Sequence, residues 1–431
     1  MALNLAVPSR RTFAAVFLGV LALLTASCSG GSTASGGRTE ITFSYLWTGP
    51  EAKALEQIIT DFNASQDEIR VRGVSNPDMQ KQLASMSSSS GSFDISDNFG
   101  NSTGSWAAKG VLAPLDEYLE PSDTDDFIPA ALDQMRYDGK LYSVPIAVHT
   151  FQLLYNKKLL DEAGVAPPTT TQELATAIEK LTKVDKGGNI TQLGLGNPDL
   201  ATSLITLAYA FGGTWDGADP SAPEATPAEP GNVDALAFWQ DHITDKYGAD
   251  KVAKFTAGWG QYMSPQDPFY TGKVAMTIDG EWQAVSIPKN ASNLEWGVTA
   301  IPVADPAYAG ATQLTASTLF IPANSKHKAE AATFLKYLVD DEAMLAFSKT
   351  LGNLPGRTSL LDDETYASIP NFSTWLESLK SEHVHALASA PYSAEYATDL
   401  GAAFDAVARG ESSPDQALQS VAKKSDDYAT D

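Results

Sequence analysis

One short segment of this 431-residue chain has the spacing of a catalytic nucleophile. Gly100-Asn101-Ser102-Thr103-Gly104 fits the G-x-S-x-G pattern, in which a sharp turn between a strand and a helix exposes a serine hydroxyl for attack on an acyl group. Several of the five histidines lie downstream and could act as the base. No HGGG-type oxyanion segment precedes it, however, and a five-residue pattern is common by chance. Hydrolysis with Ser102 as nucleophile is therefore the weaker alternative.

A second group with chemical potential is the pair His383 and His385. Imidazole nitrogens are common zinc ligands, so the pair raises the question of a metal site. Residues two apart on a helix point to different faces, and no third ligand of suitable type is evident nearby. The sequence therefore predicts no metal and no other cofactor.

The elements that must position such residues alternate between strands and helices. Residues 40–47 alternate apolar and smaller or polar side chains, which is typical of a strand, and residues 69–74 return to that pattern. Between them, apolar residues recur at helical spacing at Leu55, Ile58, Ile59 and Phe62. A strand–helix–strand opening of this length favours a right-handed crossover and a mainly parallel sheet, which predicts the α/β class.

Two helix starts carry the signature of a capping box. Thr48 and Glu51 have the required spacing, with Pro50 just inside the predicted helix. Thr170 and Glu173 repeat the pattern ahead of a second apolar helix.

Residues 1–27 have the organisation of an export signal. Arg10 and Arg11 precede an apolar stretch over 13–24, which is shorter than the roughly 20 residues a membrane-spanning helix needs. The small residues after the stretch lead to Cys28, and this arrangement resembles a bacterial lipoprotein signal. Residues 1–27 are therefore predicted to be removed, and Cys28 is predicted to carry the lipid. Residues 28–38 are predicted to form a flexible tether, because they are rich in glycine and serine. The arginine pair also resembles a twin-arginine signal, and export by the general secretory route stays open.

Charge and cysteine content limit the partners of the mature chain. Cys28 is the only cysteine, so no disulfide can form within the chain. Without residues 1–27 the formal charge is 27 − 53 = −26, since the removed segment holds two arginines and no acid. Nucleic acid and anionic lipid headgroups are poor partners for such a surface. About 400 residues are enough for more than one lobe.

Six segments in order resemble one protein family. They are residues 41–62, 104–115, 142–145 (Tyr142-Ser-Val-Pro145), 154–160 (Leu154-Tyr-Asn-Lys-Lys-Leu-Leu160), 269–282 (ending Asp279-Gly-Glu-Trp282) and 354–357 (Leu354-Pro-Gly-Arg357). Together they resemble the carbohydrate-binding branch of extracellular solute-binding proteins, the family that includes maltose-binding protein. The resemblance implies an α/β, two-lobed periplasmic-binding-protein-like fold (type II), whose lobes are joined by crossing hinge segments. It implies an N-lobe of residues 39–147 plus 298–359 and a C-lobe of residues 148–297 plus 360–431.

A sugar offers an apolar C–H face and a rim of hydroxyls, so its site needs aromatic platforms with a few polar groups. Trp282 matches the stacking tryptophan of the family. Trp259 lies between two glycines, Trp215 follows two glycines, and Trp47 ends the first predicted strand. Each of these indoles has an alternative place in the core or over a helix end. Tyr392 and Tyr396 are weaker candidates.

Polar candidates are predicted at the same strand ends. The resemblance implies sugar-hydroxyl partners in the turn that holds Asn98 and Asn101, and a ligand contact at His149, where related proteins often present a carboxylate. The remaining polar candidates are Asp199, Asp279 and Arg357, and for each of them a purely structural role stays open.

These features together predict a function without catalysis. The chain is expected to be a monomeric, lipid-anchored receptor on the outer face of the cytoplasmic membrane. It would bind a mono- or oligosaccharide in a cleft between lobes, close around it and deliver it to the permease subunits of an ABC importer. Hinge closure of this kind requires that the ligand bind the closed state better than the open one. A receptor of the same fold for glycerol phosphate or a polyamine is the alternative.

Overall fold

The computed structural model describes residues 37–217 and 223–428. The predicted signal peptide, Cys28 and the tether up to residue 36 lie outside the described residues. Within the described part, no helix has both the length and the hydropathy needed to cross a bilayer.

The strands of the described residues follow in chain order: β1 (Thr39–Tyr45), β2 (Ile69–Ser75), β3 (Ile95–Phe99), β4 (Arg136–Tyr137), β5 (Lys140–Leu141), β6 (Ser143–Asn156), β7 (Lys183–Val184), β8 (Ile190–Leu195), β9 (Val274–Gly280), β10 (Trp296–Thr299), β11 (Thr312–Phe320), β12 (Leu354–Pro355) and β13 (Val384–Ala386).

The α-helices of the described residues are α1 (Gly49–Ser65), α2 (Met79–Met86), α3 (Thr103–Ala108), α4 (Pro121–Thr124), α5 (Pro129–Gln134), α6 (Lys157–Ala163), α7 (Thr171–Leu181), α8 (Leu200–Ala210), α9 (Pro230–Trp239), α10 (Asp245–Tyr247), α11 (Ala249–Thr256), α12 (Gln283–Asn290), α13 (Lys328–Leu338), α14 (Asp341–Leu351), α15 (Ser373–Ser378), α16 (Ser393–Ala408) and α17 (Pro414–Tyr428). Short 3₁₀ turns occur at Gly100–Ser102, Leu115–Glu117, Pro306–Tyr308, Thr358–Leu360 and Glu364–Ser368, and Gln240–Thr244 form one π-helical turn.

The opening β1–α1–β2 unit forms as its sequence pattern predicts. β1 and β2 pair in parallel, and the four apolar residues predicted for the inner face of α1 are buried. The predicted capping box of α1 is wrong, because the Thr48 side chain makes no capping hydrogen bond. Partial burial raises the pKa of Glu51, and the positive charge of Lys289 acts in the opposite direction. The box at Thr170 and Glu173 forms in both directions.

One strand takes part in both halves of the sheet. β6 has 14 residues. Its first part, up to Thr150, pairs antiparallel with β11, and its second part, from Phe151, pairs antiparallel with β9. The strand order is β2-β1-β3-β11-β6-β9-β8-β7, with β13 on β11 and with β10 and β12 on β6. The prediction of a mainly parallel sheet is wrong: among the strands of the described residues, β1–β2, β1–β3, β8–β9 and β11–β13 pair in parallel and the other pairs are antiparallel.

Apolar side chains form two large cores. The first core gathers the side chains of β1 to β3, α1, α13 and α14, and it also takes residues 360–379. The second core gathers β8, β9, α7 to α9, α16 and α17. β6 contributes to both cores, since Val148 and Leu154 pack in the first and Phe151 and Leu153 pack in the second, so the two cores meet along this strand. A smaller cluster under α2 and α3 completes the packing.

Candidate functional site

His149 occupies the part of β6 that lies between the two cores, and it uses both ring nitrogens. Its Nδ1 lies 2.6 Å from the Glu281 carboxylate, and its Nε2 lies 3.0 Å from the Ser317 hydroxyl. Ser317 belongs to β11, whereas Glu281 follows β9 directly. The imidazole therefore joins strands that pair with opposite halves of β6. The Glu281 side chain has no exposed surface, and its second oxygen has no hydrogen-bond partner within the described residues.

Trp282 follows Glu281. Its indole ring contacts neighbouring rings edge-on and lies against Gly280. Its ring meets the rings of His149 and Phe151 nearly perpendicularly, with centroids 5.6 and 5.8 Å away. A Cβ atom on Gly280 would overlap the six-membered ring of the indole, so only glycine leaves room for Trp282 there. Trp282 itself stays partly exposed.

A hydrogen-bond network holds the indole from the other side. The Trp282 Nε1–H donates to the Tyr262 hydroxyl at 2.7 Å, and Tyr262 donates to Asp279 Oδ1 at 2.7 Å. The Gln283 amide donates to Asp279 Oδ2 at 2.7 Å. Burial raises the pKa of Asp279 to about 7, although the hydrogen bonds from Tyr262, Gly280 and Gln283 act in the opposite direction. Burial also raises the pKa of Tyr262, and the nearby Asp279 raises it further.

Two further candidates lie at the same edge of the second half of the sheet. β8 and β9 are parallel neighbours, so their carboxyl ends meet at one edge, where open α/β sheets bind ligands. The Trp259 ring lies against Gly196 just after β8, and its buried Nε1–H has no partner within the described residues. Asp199 caps α8 by accepting from the Thr202 amide and hydroxyl. Trp259 and Asp199 thus come to the strand ends that also carry Trp282.

The end of β3 and the turn that follows it divide their polar residues between the interior and the surface. Asn98 is buried, and its amide group donates to Gln82 at 2.9 Å. Asn101 is exposed. Asp97 is buried and accepts from the Leu46 amide at 2.7 Å, and burial raises its pKa to about 8. Phe99 is 52% exposed and pairs with Ser317, the residue that binds His149. The turn is therefore one strand away from the imidazole.

Three of the predicted residues have other environments. Trp215 is 1% exposed in the second core, and its indole donates to the Ile205 carbonyl, so it has no surface for a ligand. The Arg357 guanidinium donates to the Val339 and Asp123 carbonyls and lies over the Phe127 ring. Trp47 packs edge-on against Phe347 of α14. The contacts of Trp215 and Arg357 engage these side chains within the protein, whereas Trp47 stays partly exposed and its role as a ligand contact stays a prediction.

The residues around Trp282, namely His149, Phe151, Tyr262, Asp279 and Glu281, form with it the Trp282 cluster. A cavity of about 560 Å³ is lined by none of these residues. Gln134 and Tyr137 line it from one side, and Asp216 and Tyr392 line it from the other, with the segment Val384–Pro391 between them. Burial raises the pKa of Asp216 to about 7, and its carboxylate accepts from the Ala388 amide. None of the ten predicted ligand contacts lines this cavity.

Comparison with known proteins decides the family. A sequence profile of the bacterial extracellular solute-binding proteins matches residues 48–345, which is more than half of the chain. The chain belongs to this family. The family description agrees with an exported location, and it identifies a binding protein rather than an enzyme.

Individual relatives within the solute-binding family carry sugar or polyol names. A protein solved with mannotriose bound is 28% identical and superimposes with a TM-score of 0.77, over 90% of this chain and 100% of that one. The predicted two-lobed type II fold is confirmed by this likeness. The mannitol-binding protein of Pseudomonas aeruginosa is 24% identical over 389 residues, 84% of this chain and 87% of its own. The maltotriose-binding protein of Pyrococcus abyssi is 25% identical over 275 residues, 62% of this chain and 55% of its own.

The catalytic and metal alternatives find no support in the geometry of this solute-binding protein. Ser102 lies in the 3₁₀ turn after β3, and the histidine of the site binds Ser317 instead. His385 stacks on Tyr209, with its pKa lowered to about 4 by burial. Within residues 37–217 and 223–428, no group of three metal-ligating side chains could hold an ion. Gly104 has a packing role, because a Cβ there would overlap the Ser389 carbonyl oxygen.

Sequence reasoning missed four residues around Trp282. Tyr262 gave a signal, since it follows Trp259 closely in a glycine-containing loop. Glu281 was visible only as a flank of the Asp279-Gly280 turn. Ser317 gave no signal in the sequence, because only the register of β11 on β6 brings it to His149. Phe99 could be found only from its exposure at the end of β3.

Proposed function

We propose that this protein is the receptor of an ABC importer and that it binds a sugar beside Trp282. The observation that carries the proposal is the partly exposed indole held among His149, Tyr262, Asp279 and Glu281 at the carboxyl end of β9. An aromatic face beside buried hydrogen-bonding groups suits the C–H face and hydroxyls of a pyranose. Relatives that bind mannotriose, maltotriose and mannitol support this class of ligand.

The charges around the proposed site favour a neutral ligand over a phosphate. Asp279 and Glu281 are both buried there, and His149 faces Glu281. A phosphate group would need clustered cations or a helix N-terminus, and the helix that begins here, α12, starts next to the buried side chains of Asp279 and Glu281. The basic residue predicted for the site, Arg357, is bound to backbone carbonyls of the first core. Glycerol phosphate is thus the less favoured ligand. The ligand screen described below tests a polyamine directly.

The proposed ligand contacts are Trp282, Trp259, His149, Asp199 and Asn101. We infer that two lobes close around the ligand, and that they follow the two cores. The predicted first boundary, between residues 147 and 148, falls in β6 next to the residues that lie where the cores meet. The apolar side chains of residues 360–379 pack in the first core, which supports extending the N-lobe by this segment. Ile287 and Trp296 also pack in the first core, and Ile301 and Val303 pack in the second, so we infer that the lobes do not divide at the boundary predicted between residues 297 and 298.

We also propose that the mature chain is a monomer anchored to the membrane through a lipid on Cys28 and exported by residues 1–27. The glycine- and serine-rich tether supports this arrangement, because it would let the folded part reach the permease subunits. Mass spectrometry of the membrane-extracted protein tests it, since a diacylated Cys28 at the new N-terminus is expected.

A ligand screen by titration calorimetry tests the main proposal. The folded part should be titrated with mono-, di- and trisaccharides, including mannotriose and maltotriose, and with mannitol, glycerol phosphate and spermidine. Binding of a sugar or polyol is expected, and Trp282→Ala should weaken it by about 1–3 kcal/mol, roughly 5- to 150-fold in Kd.

The matched control is Trp215→Phe, which changes a tryptophan of the second core and should leave Kd within about two-fold. Binding of glycerol phosphate or spermidine alone would contradict the sugar proposal. Unchanged affinity in Trp282→Ala would remove this residue from the site.

A further inference from the structure

Tyr262 stands at the centre of the hydrogen bonds around Trp282, although it comes 20 residues earlier in the chain. It lies in the loop between α11 and β9. Its hydroxyl has three neighbours within hydrogen-bonding distance: Trp282 Nε1 at 2.7 Å, Asp279 Oδ1 at 2.7 Å and Gln283 Nε2 at 3.3 Å. A single oxygen therefore links the indole to the carboxylate.

The direction of these bonds follows from the chemistry of the groups. An indole N–H is a donor only, so the Tyr262 oxygen must accept from Trp282. The amide group of Gln283 also donates to that oxygen. The hydroxyl proton is then left for Asp279, which accepts it. Both Asp279 oxygens are engaged, the second by Gln283. With Asp279 ionised, the hydrogen bonds therefore run from Trp282 to Tyr262 and from Tyr262 to Asp279.

This network fixes what the indole can offer to a ligand. Its only polar group is used by Tyr262, so a ligand can contact only the ring surface. The ring is blocked on the backbone side by Gly280 and is met by His149 and Phe151. Without the Tyr262 oxygen, the indole could turn away from this orientation and leave its N–H unpaired.

We propose that Tyr262 is the positioning residue of the sugar site: its hydroxyl holds the Trp282 indole in the orientation that presents the ring surface to the ligand. This inference rests on the proposed function and adds a mechanism of recognition to it. The site would select ligands by an apolar C–H face at Trp282, and hydroxyl recognition would fall to other residues. The burial that raises the pKa of Tyr262 is consistent with a hydroxyl that keeps its proton for Asp279.

The first test is independent of any ligand. In ¹⁵N-labelled full-length mature protein, the indole resonance of Trp282 is identified by its loss in Trp282→Phe. Its hydrogen exchange should accelerate roughly 3- to 10-fold in Tyr262→Phe, since one bond that protects it is removed. The matched control Tyr396→Phe removes a buried tyrosine hydroxyl that donates to the Trp215 carbonyl and not to this network, and it should leave the exchange within about two-fold of the wild-type rate. Unchanged exchange in Tyr262→Phe would overturn the proposal.

The second test separates positioning from a general structural role. With mannotriose and maltotriose as probes, Tyr262→Phe should raise Kd roughly 3- to 10-fold, the net value of one hydrogen bond. In a Trp282→Phe background, the same substitution should change Kd less than about two-fold, because the residue it positions is gone. Equal effects in both backgrounds would show that Tyr262 acts through the fold, and an unchanged Kd in the wild-type background would equally overturn the proposal.

The failure of this inference differs from the failure of the proposed function. If the wild-type protein bound none of the sugars or polyols, the function would fall, whereas the exchange of the Trp282 indole would still report on Tyr262. If the wild-type protein bound sugar and the double-mutant comparison were additive, the function would stand and the positioning role would fall.

Discussion

Replacing His149 by leucine should destabilise the protein strongly, because it removes the partner of a buried carboxylate. The Glu281 side chain is completely buried, and His149 is its neighbour at 2.6 Å. Its second oxygen has no partner within the described residues. Breaking a buried pair by removing one member costs about 3–5 kcal/mol. The lost bond to Ser317 adds about 0.5–1.5 kcal/mol, so we expect a total of about 3.5–6.5 kcal/mol. Leucine approximates the volume of imidazole, which limits the contribution of a new cavity.

Urea unfolding followed by far-ultraviolet circular dichroism at neutral pH measures this loss. The matched control is the double variant His149→Leu with Glu281→Met, which replaces the whole pair by apolar side chains of similar length. It should recover most of the stability, since exchanging a buried pair for apolar residues is often neutral. The reasoning would be refuted if the single variant lost less than about 1 kcal/mol, or if the double variant were no more stable than the single one.

Two further predictions concern β3 and the helix α3 that follows it. Asp97 has its pKa raised to about 8 by burial, so its contribution to stability is complete below its ordinary pKa near 4 and is lost as pH rises to about 8. The melting temperature of Asp97→Asn minus that of the wild type should therefore increase from pH 4 to pH 8. A difference that stays constant over this range would contradict the raised pKa of Asp97. Gly104→Ala should lower stability by about 1–3 kcal/mol, because its Cβ would overlap the Ser389 oxygen. In thermal melts the control Gly401→Ala, where a Cβ meets nothing within 4 Å, should keep or raise the melting temperature, and equal losses would exclude the steric explanation.

The sequence pattern correctly predicted those elements that depend on interactions between residues close together in the chain. The β1–α1–β2 unit and the Thr170 cap depend on apolar periodicity and on side chains three residues apart, so both are visible in the sequence. The Thr48 box had the same spacing, yet the environment of Glu51 is set by burial and by Lys289, which comes from a distant part of the chain. The mainly parallel sheet was overestimated because β11, a late strand, inserts antiparallel between β3 and β6.

Residues of the Trp282 cluster could be predicted where the residue type indicates a ligand contact. They could not be predicted where strand register or the direction of a side chain determines which residues meet. Trp282 and His149 were predicted from the resemblance to the family and Asp279 as a polar residue at a predicted turn, and the structure brings them together. Trp215 looked equivalent, since it follows two glycines, but a glycine pair does not reveal that the ring turns into the core. Arg357 could not be separated from a ligand contact by sequence, because its acceptors are backbone carbonyls that any residue carries.

The place of β11 in the sheet has a consequence for the synthesis of the chain. β3 and β6 cannot be bridged until residues 312–320 leave the ribosome, since β11 is the strand that pairs with both. During translation of the preceding part, both strands expose unpaired edges and apolar faces, a condition that favours wrong pairing. Formation of this contact should be slow, because β11 is far from β6 along the chain and a long loop must close before the two strands can pair. A nascent chain halted before residue 312 should therefore be a substrate for chaperones and should stay sensitive to proteases, whereas one released after residue 320 can complete its central strands.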